Sequence, residues 1–156
     1  MLADGLINKI DSTETYFDQT LSVAEEEHGS FCPKEGMFSL AEQVGHVAQT
    51  VDWFVEGMFS KSGFNMEFEE LEEKVRAVNT LGEAKKWLGE AFERAREKVL
   101  QSDDDSLKDR IAPGPIMGGV PRYIAIGAIS DHTAHHRGSI AVYLRLLGLE
   151  PPMPYA

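Results

Sequence analysis

The amino-acid sequence predicts an all-α protein, folded as a four-helix bundle. Four long stretches carry apolar residues at helical spacing, and none shows a convincing alternation of apolar and polar residues. All seven prolines fall between these stretches, in the tail, or at a first helical turn. Helices with one apolar stripe each must bury it against one another.

The first helix is predicted from about Ala3 to Glu27, with Leu6, Ile10, Phe17, Leu21 and Ala24 as its stripe, and Gly29 and Pro33 stop it. The second opens at Ser39, whose partner three residues on, Glu42, completes a capping box, and runs to about Phe59. Leu40, Val44, Val47, Val51, Phe54, Val55 and Met58 form its core face. The loop from Gly29 to Gly36 is short, so these two helices are expected to be antiparallel neighbours. Ser60 to Asn79, with Phe64, Phe68, Leu71, Val75 and Val78, reads as a loop and a short extra helix that covers one end of the domain. The third long helix starts at Thr80, its N-cap, with Glu83 at the third position, and reaches Leu100 through Leu81, Ala84, Leu88, Ala91, Phe92, Ala95 and Val99. In the connection from Asp103 to Val120, Pro113, Gly114, Pro115, Gly118 and Gly119 forbid regular helix. Pro121 sits in the first turn of the fourth long helix, which Gly148 ends. Residues 1–156 are expected to form one domain, without internal repeats.

A net charge of −11 and the lack of any basic cluster argue against nucleic acid and against an anionic membrane surface. No apolar run approaches a membrane span and the first residues carry no signal-peptide pattern, so the expected compartment is the cytoplasm. The single cysteine, Cys32, excludes an internal disulfide and a cysteine-based zinc cluster, and it reads as an incidental thiol. The runs Glu25–Glu27, Glu69–Glu73 and Asp103–Asp105 read as solvated surface and helix ends.

Three of the five histidines lie within five residues of the fourth helix. His132 and His136 are one turn apart, offset by only about 40° and about 6 Å along the axis. They share a face with Ala125, Ile129, Ile140, Tyr143 and Leu147, so they look into the core and need partners there. Two imidazoles so placed can bind one metal ion or can each be satisfied by core hydrogen bonds. His135 lies at the edge of the same face and makes His132/His135 an alternative pair, less central to the stripe. On the second helix His46 shares a mixed row with Ser39, Gln43, Thr50, Trp53 and Gly57, a composition suited to lining a pocket. It supplies a third nitrogen from another helix. Glu25 and His28 have the spacing of a di-iron ligand pair, but the fourth helix has Ile129 and Thr133 where the matching glutamates belong. His28 is expected at a helix C-terminus instead. Tyr143 and Trp53 lie two turns from the histidines of their helices and read first as core packing.

The segment Leu40-Ala41-Glu42-Gln43-Val44-Gly45-His46, the late His132-x-x-x-His136-Arg137-Gly138-Ser139 and the tail Tyr143-Leu144-Arg145-Leu146-Leu147-Gly148 together resemble the DinB, or YfiT-like, family over nearly the whole chain. Ser139 departs from the glutamine usual there. The resemblance implies an up-down-down-up bundle with His46, His132 and His136 as the metal-binding triad. It also implies a divalent metal ion and activity as a metal-dependent transferase that uses a low-molecular-weight thiol against a small electrophile; three histidine nitrogens suit zinc and nickel alike. Metal-dependent hydrolysis and simple metal or ligand binding are the alternatives. A homodimer is also implied. The fourth helix offers a face for it in Gly127, Asp131, Ala134, Gly138, Ala141 and Arg145, although that face could equally pack within the bundle.

Overall fold

A computed structural model of the chain describes residues 2–156. Its helices are α1 (Leu2–Leu21), α2 (Leu40–Phe59), α3 (Phe68–Arg76), α4 (Leu81–Leu100), α5 (Asp104–Lys108) and α6 (Arg122–Leu146), with a 3₁₀ turn at Glu26–His28. The expected caps form. Ser39 Oγ accepts from the Glu42 N–H at 3.2 Å while the Glu42 carboxylate accepts from the Ser39 N–H at 2.6 Å, and Thr80 Oγ1 accepts from the Glu83 N–H at 3.1 Å. Gly148, with φ of 80°, closes α6: its N–H and that of Leu149 bond back to the carbonyls of Arg145 and Leu144.

Side-chain contacts set the direction of each helix. Arg96 of α4 reaches Asp11 and Glu14 of α1, and Lys85 reaches the Ala24 carbonyl, so α1 and α4 are antiparallel. Asp52 of α2 receives Arg94 of α4, and Gly45 lies near Trp87, so α2 and α4 are parallel. Gln43 meets His136 at one end while Arg122 bonds the Met58 carbonyl at the other, so α2 and α6 are antiparallel. Thr13 meets Ser130 and Tyr16 meets Arg137, so α1 and α6 run parallel. The four long helices therefore form an up-down-down-up bundle around Phe17, Leu40, Phe92 and Ile129, each at most 1% exposed.

Three features differ from the expectation. The first helix ends at Leu21, where Ser22 Oγ bonds the Gln19 carbonyl at 2.7 Å and the chain turns. Ala24 is buried, so its place in the stripe gave no sign of the break. The link thus spans residues 22–39, long enough to cross the end of the bundle. As a result α1 and α2 are diagonal, each packed on α4 and α6 rather than on one another. Glu26, in a run that read as solvated surface, accepts from the N–H groups of Leu81 and Gly82, each at 2.8 Å, and so caps α4 from the crossing segment.

Second, α3 lies along α2 instead of over the end of the bundle. Its Phe68 meets Trp53, and its Arg76 meets Glu42 and the carbonyls of Gly36 and Met37. Beside it, the Phe64 ring occupies the space that a Cβ on Gly57 would need, so only glycine fits there. Third, the connection after α4 contains the short helix α5, capped by the Asp103 carboxylate on the Ser106 N–H and pinned by buried Leu107.

Candidate metal centre

His46 from α2 and His132 and His136 from α6 converge where the antiparallel helices cross. One ring nitrogen of each lies within 4.8 Å of those of the other two. The ring centroids are 5.2 Å apart for His46 and His132, 4.5 Å for His46 and His136, and 4.4 Å for His132 and His136. Among the described residues no carboxylate or thiol joins this cluster. His135 is exposed and stays outside it, as does His28, whose Nδ1 accepts from the Glu25 N–H at 2.9 Å and holds the 3₁₀ turn. His28 thus sits in a turn of its own beyond α1 rather than at the end of that helix. Cys32 is exposed, and its thiol donates to the Lys34 carbonyl at 2.9 Å.

A chain of hydrogen bonds orients one of the three rings. Tyr143 OH donates to the Phe38 carbonyl at 3.0 Å, so towards Gln43 it can act only as an acceptor. Gln43 Nε2 donates to it at 3.4 Å, which turns Gln43 Oε1 towards His136 Nδ1, 2.9 Å away. An amide oxygen accepts, so His136 carries its proton on Nδ1 and keeps a lone pair on Nε2. This is the tautomer a metal-ligating histidine needs, with its other nitrogen donating to a carbonyl oxygen.

The electrostatics favour neutral rings. Burial holds all three imidazoles below the ordinary histidine range. His132 is brought to about 4, chiefly by desolvation and then by His46 and His135. His136 is brought to about 3 by desolvation and then by His132, His46 and His135. Three neutral imidazoles, each able to offer a lone pair, converge in a way that fits a divalent cation and would leave it room for a further ligand.

The cluster adjoins a cavity of about 370 Å³. His46 and His132 form part of its wall, and Phe38, Trp53, Phe54, Phe68 and Leu71 give it apolar sides. Trp53 is therefore a lining residue, fixed by its Nε1–H on the Asn65 carbonyl at 2.7 Å, whereas Tyr143 is buried in the core. Phe38 lies over His46 with centroids 5.4 Å apart, and the Arg76 guanidinium sits 4.3 Å above the other partner of that stack, the Phe38 ring.

Residues 9–140 match the DinB superfamily. The chain belongs to that family. No curated protein matches it. Among solved structures, YfiT from Bacillus subtilis superposes with a TM-score of 0.71 at 15% identity, covering 95% of this chain and 89% of that one. That protein is described as a probable metal-dependent hydrolase with an unusual four-helix bundle topology. A DinB-like protein from Bacillus cereus ATCC 10987 superposes with a TM-score of 0.59 at 18% identity, covering 96% and 95%. At these identities the likeness is one of fold.

Two contributors to this DinB site were not identified from the sequence. Gln43 stood in the same helical row as His46, but its role depends on two residues nearly a hundred positions away. Glu72, the one carboxylate in the cavity wall, comes from α3, whose acidic run has no period that singles it out. Of the acids closer to the histidines in sequence, Asp131 is exposed and Glu42 is taken up by its cap and by Arg76.

Proposed function

We propose that the protein is a divalent-metal-dependent enzyme that joins a low-molecular-weight thiol to a small apolar electrophile, with His46, His132 and His136 as the metal ligands. The observation that carries this reading is a cluster of three neutral imidazoles, joined by no carboxylate or thiol among the described residues, two of which, His46 and His132, line a largely apolar cavity. A divalent cation held there would supply Lewis acidity, lowering the pKa of a thiol or water that enters the open position. Neutral ligands leave the full positive charge of the ion to favour an anionic sulfur. Zinc and nickel both suit three imidazoles. The chain's own part is positional: Gln43 holds the His136 tautomer, and Trp53, Phe54 and Leu71 bind the apolar body of the electrophile and exclude water from it.

Hydrolysis is the second reading, and Glu72 favours it, since a carboxylate in the wall beside His46 could accept a proton from attacking water. The description of YfiT points the same way. Glu72 is also held by Arg76 at 3.3 Å, which suits it less to that task.

Turnover of one generic electrophile and one generic ester, each with and without a panel of thiols, separates the readings. Product that needs a thiol and vanishes in His132→Ala supports transfer. Ester cleavage without thiol that vanishes in Glu72→Gln supports hydrolysis. Stoichiometric metal with neither product would leave a metal-binding protein.

A further inference from the structure

On the side of α6 turned away from α2, a second cavity of about 180 Å³ lies between α6, α1 and the C-terminal tail. It is separate from the metal centre: Ser130, Thr133 and Arg137 face α1, while His132 and His136 face α2. We propose that this cavity binds a small oxyanion, the phosphoryl or carboxylate group of a small molecule.

Several of its donors have no acceptor of their own. Thr13 Oγ1 donates to the Lys9 carbonyl at 2.7 Å, so the 2.8 Å contact between Thr13 and Ser130 uses the Ser130 proton. Thr133, 1% exposed, is one of the residues around the same cavity, and its buried hydroxyl has no hydrogen-bond partner. A buried hydroxyl without an acceptor is costly unless a ligand supplies one. Two cations complete the wall. Arg137 gives one N–H, from Nη2, to Tyr155 OH at 2.8 Å and lies near the Tyr16 and Tyr155 rings, leaving its other donors free. Lys9 stands at the rim. Among the described residues neither cation has a carboxylate within ion-pair distance, and no acid lines the cavity, in a chain whose net charge is −11. Unpaired positive charge, a spare hydroxyl proton and room for several water-sized atoms call for a compact, acceptor-rich anion. Tyr155 brings the tail over the opening and packs edge-on against Tyr16, 4.8 Å between centroids, so the tail forms one wall of the site.

The test is an NMR titration of the protein as purified, with inorganic phosphate in one arm and succinate in the other. The expected result is saturable shifts centred on Ser130, Thr133 and Arg137, from phosphate, succinate or both, the stronger ligand identifying the group. Lys9→Gln and Arg137→Gln should each weaken binding by about tenfold. Lys9 is exposed and ties no elements together through its side chain, so its variant stays informative if Arg137→Gln loosens the tail. His132→Ala should leave the affinity unchanged. Shifts that never saturate, saturation that survives both substitutions, or loss of binding in His132→Ala would overturn the proposal.

Discussion

Gln43 Oε1 lies 2.9 Å from His136 Nδ1, so a side chain outside the three-histidine cluster selects which nitrogen of His136 is free. Partners that orient a ligand in this way contribute roughly 10- to 100-fold to metal affinity when they can be removed singly. Gln43→Leu should weaken metal binding within that range in a chelator competition, with the fold intact by circular dichroism. Unchanged affinity would show that the ring is held by packing alone.

The ligand assignment has a direct check in metal content. His46→Ala, His132→Ala and His136→Ala should each lose stoichiometric metal in elemental analysis of purified protein. His28→Ala and His135→Ala should keep it, because their rings lie outside the cluster. A full metal complement in His46→Ala would remove the contribution of α2 and with it the three-nitrogen site.

Burial of the same histidines makes the stability of the metal-free protein depend on pH. In the unfolded chain each titrates near 6.5, whereas in the fold His132 and His136 are held down to about 4 and about 3. Between those values the unfolded chain binds more protons than the folded one, so stability falls as pH falls. The urea midpoint of metal-free protein should be level above about pH 6.5 and decline towards pH 4. In His136→Gln the decline should be shallower. Metal should correspondingly be retained below pH 6.5, further into acid than ordinary imidazoles would allow.

Glu26 links the crossing segment to the first turn of α4 through two hydrogen bonds of 2.8 Å. Glu26→Ala should cost about 1–2 kcal/mol in chemical denaturation, the range for a lost helix cap. Glu27→Ala, one residue on and exposed, should stay within about 0.5 kcal/mol. Equal effects would mean that the capping geometry contributes little.

Most of the outer face of α6 is exposed: Gly127, Asp131, Ala134, Gly138 and Arg145 all stand open to solvent. Gly127 and Gly138 have open space where a Cβ would stand, and Ile124, Val142 and Leu146 along its edge are 46%, 55% and 61% exposed. The face is thus largely free of the bundle, and a second copy of the chain is the partner we expect there. Sedimentation should show a dimer that Gly138→Leu shifts towards monomer with metal content unchanged. A variant that remains dimeric would place the interface elsewhere.

Much of this protein is written in local pattern. Helical period and N-caps placed α2 and α4 to within a residue, because a cap and an apolar stripe are properties of neighbouring residues. The i, i+4 spacing of His132 and His136, and the mixed row around His46, marked the residues that the fold brings together. What the sequence left open depends on contacts between distant segments. The end of α1 was hidden because a buried Ala24 continues the stripe through a turn, and that misplacement made diagonal helices look adjacent. The roles of Gln43 and Glu72, like the donor-rich cavity behind α6, arise only once α2, α3, α1 and the tail are set against their neighbours. Period and capping act over one or two helical turns, whereas a tautomer or a cavity is set by atoms a hundred residues apart in the chain.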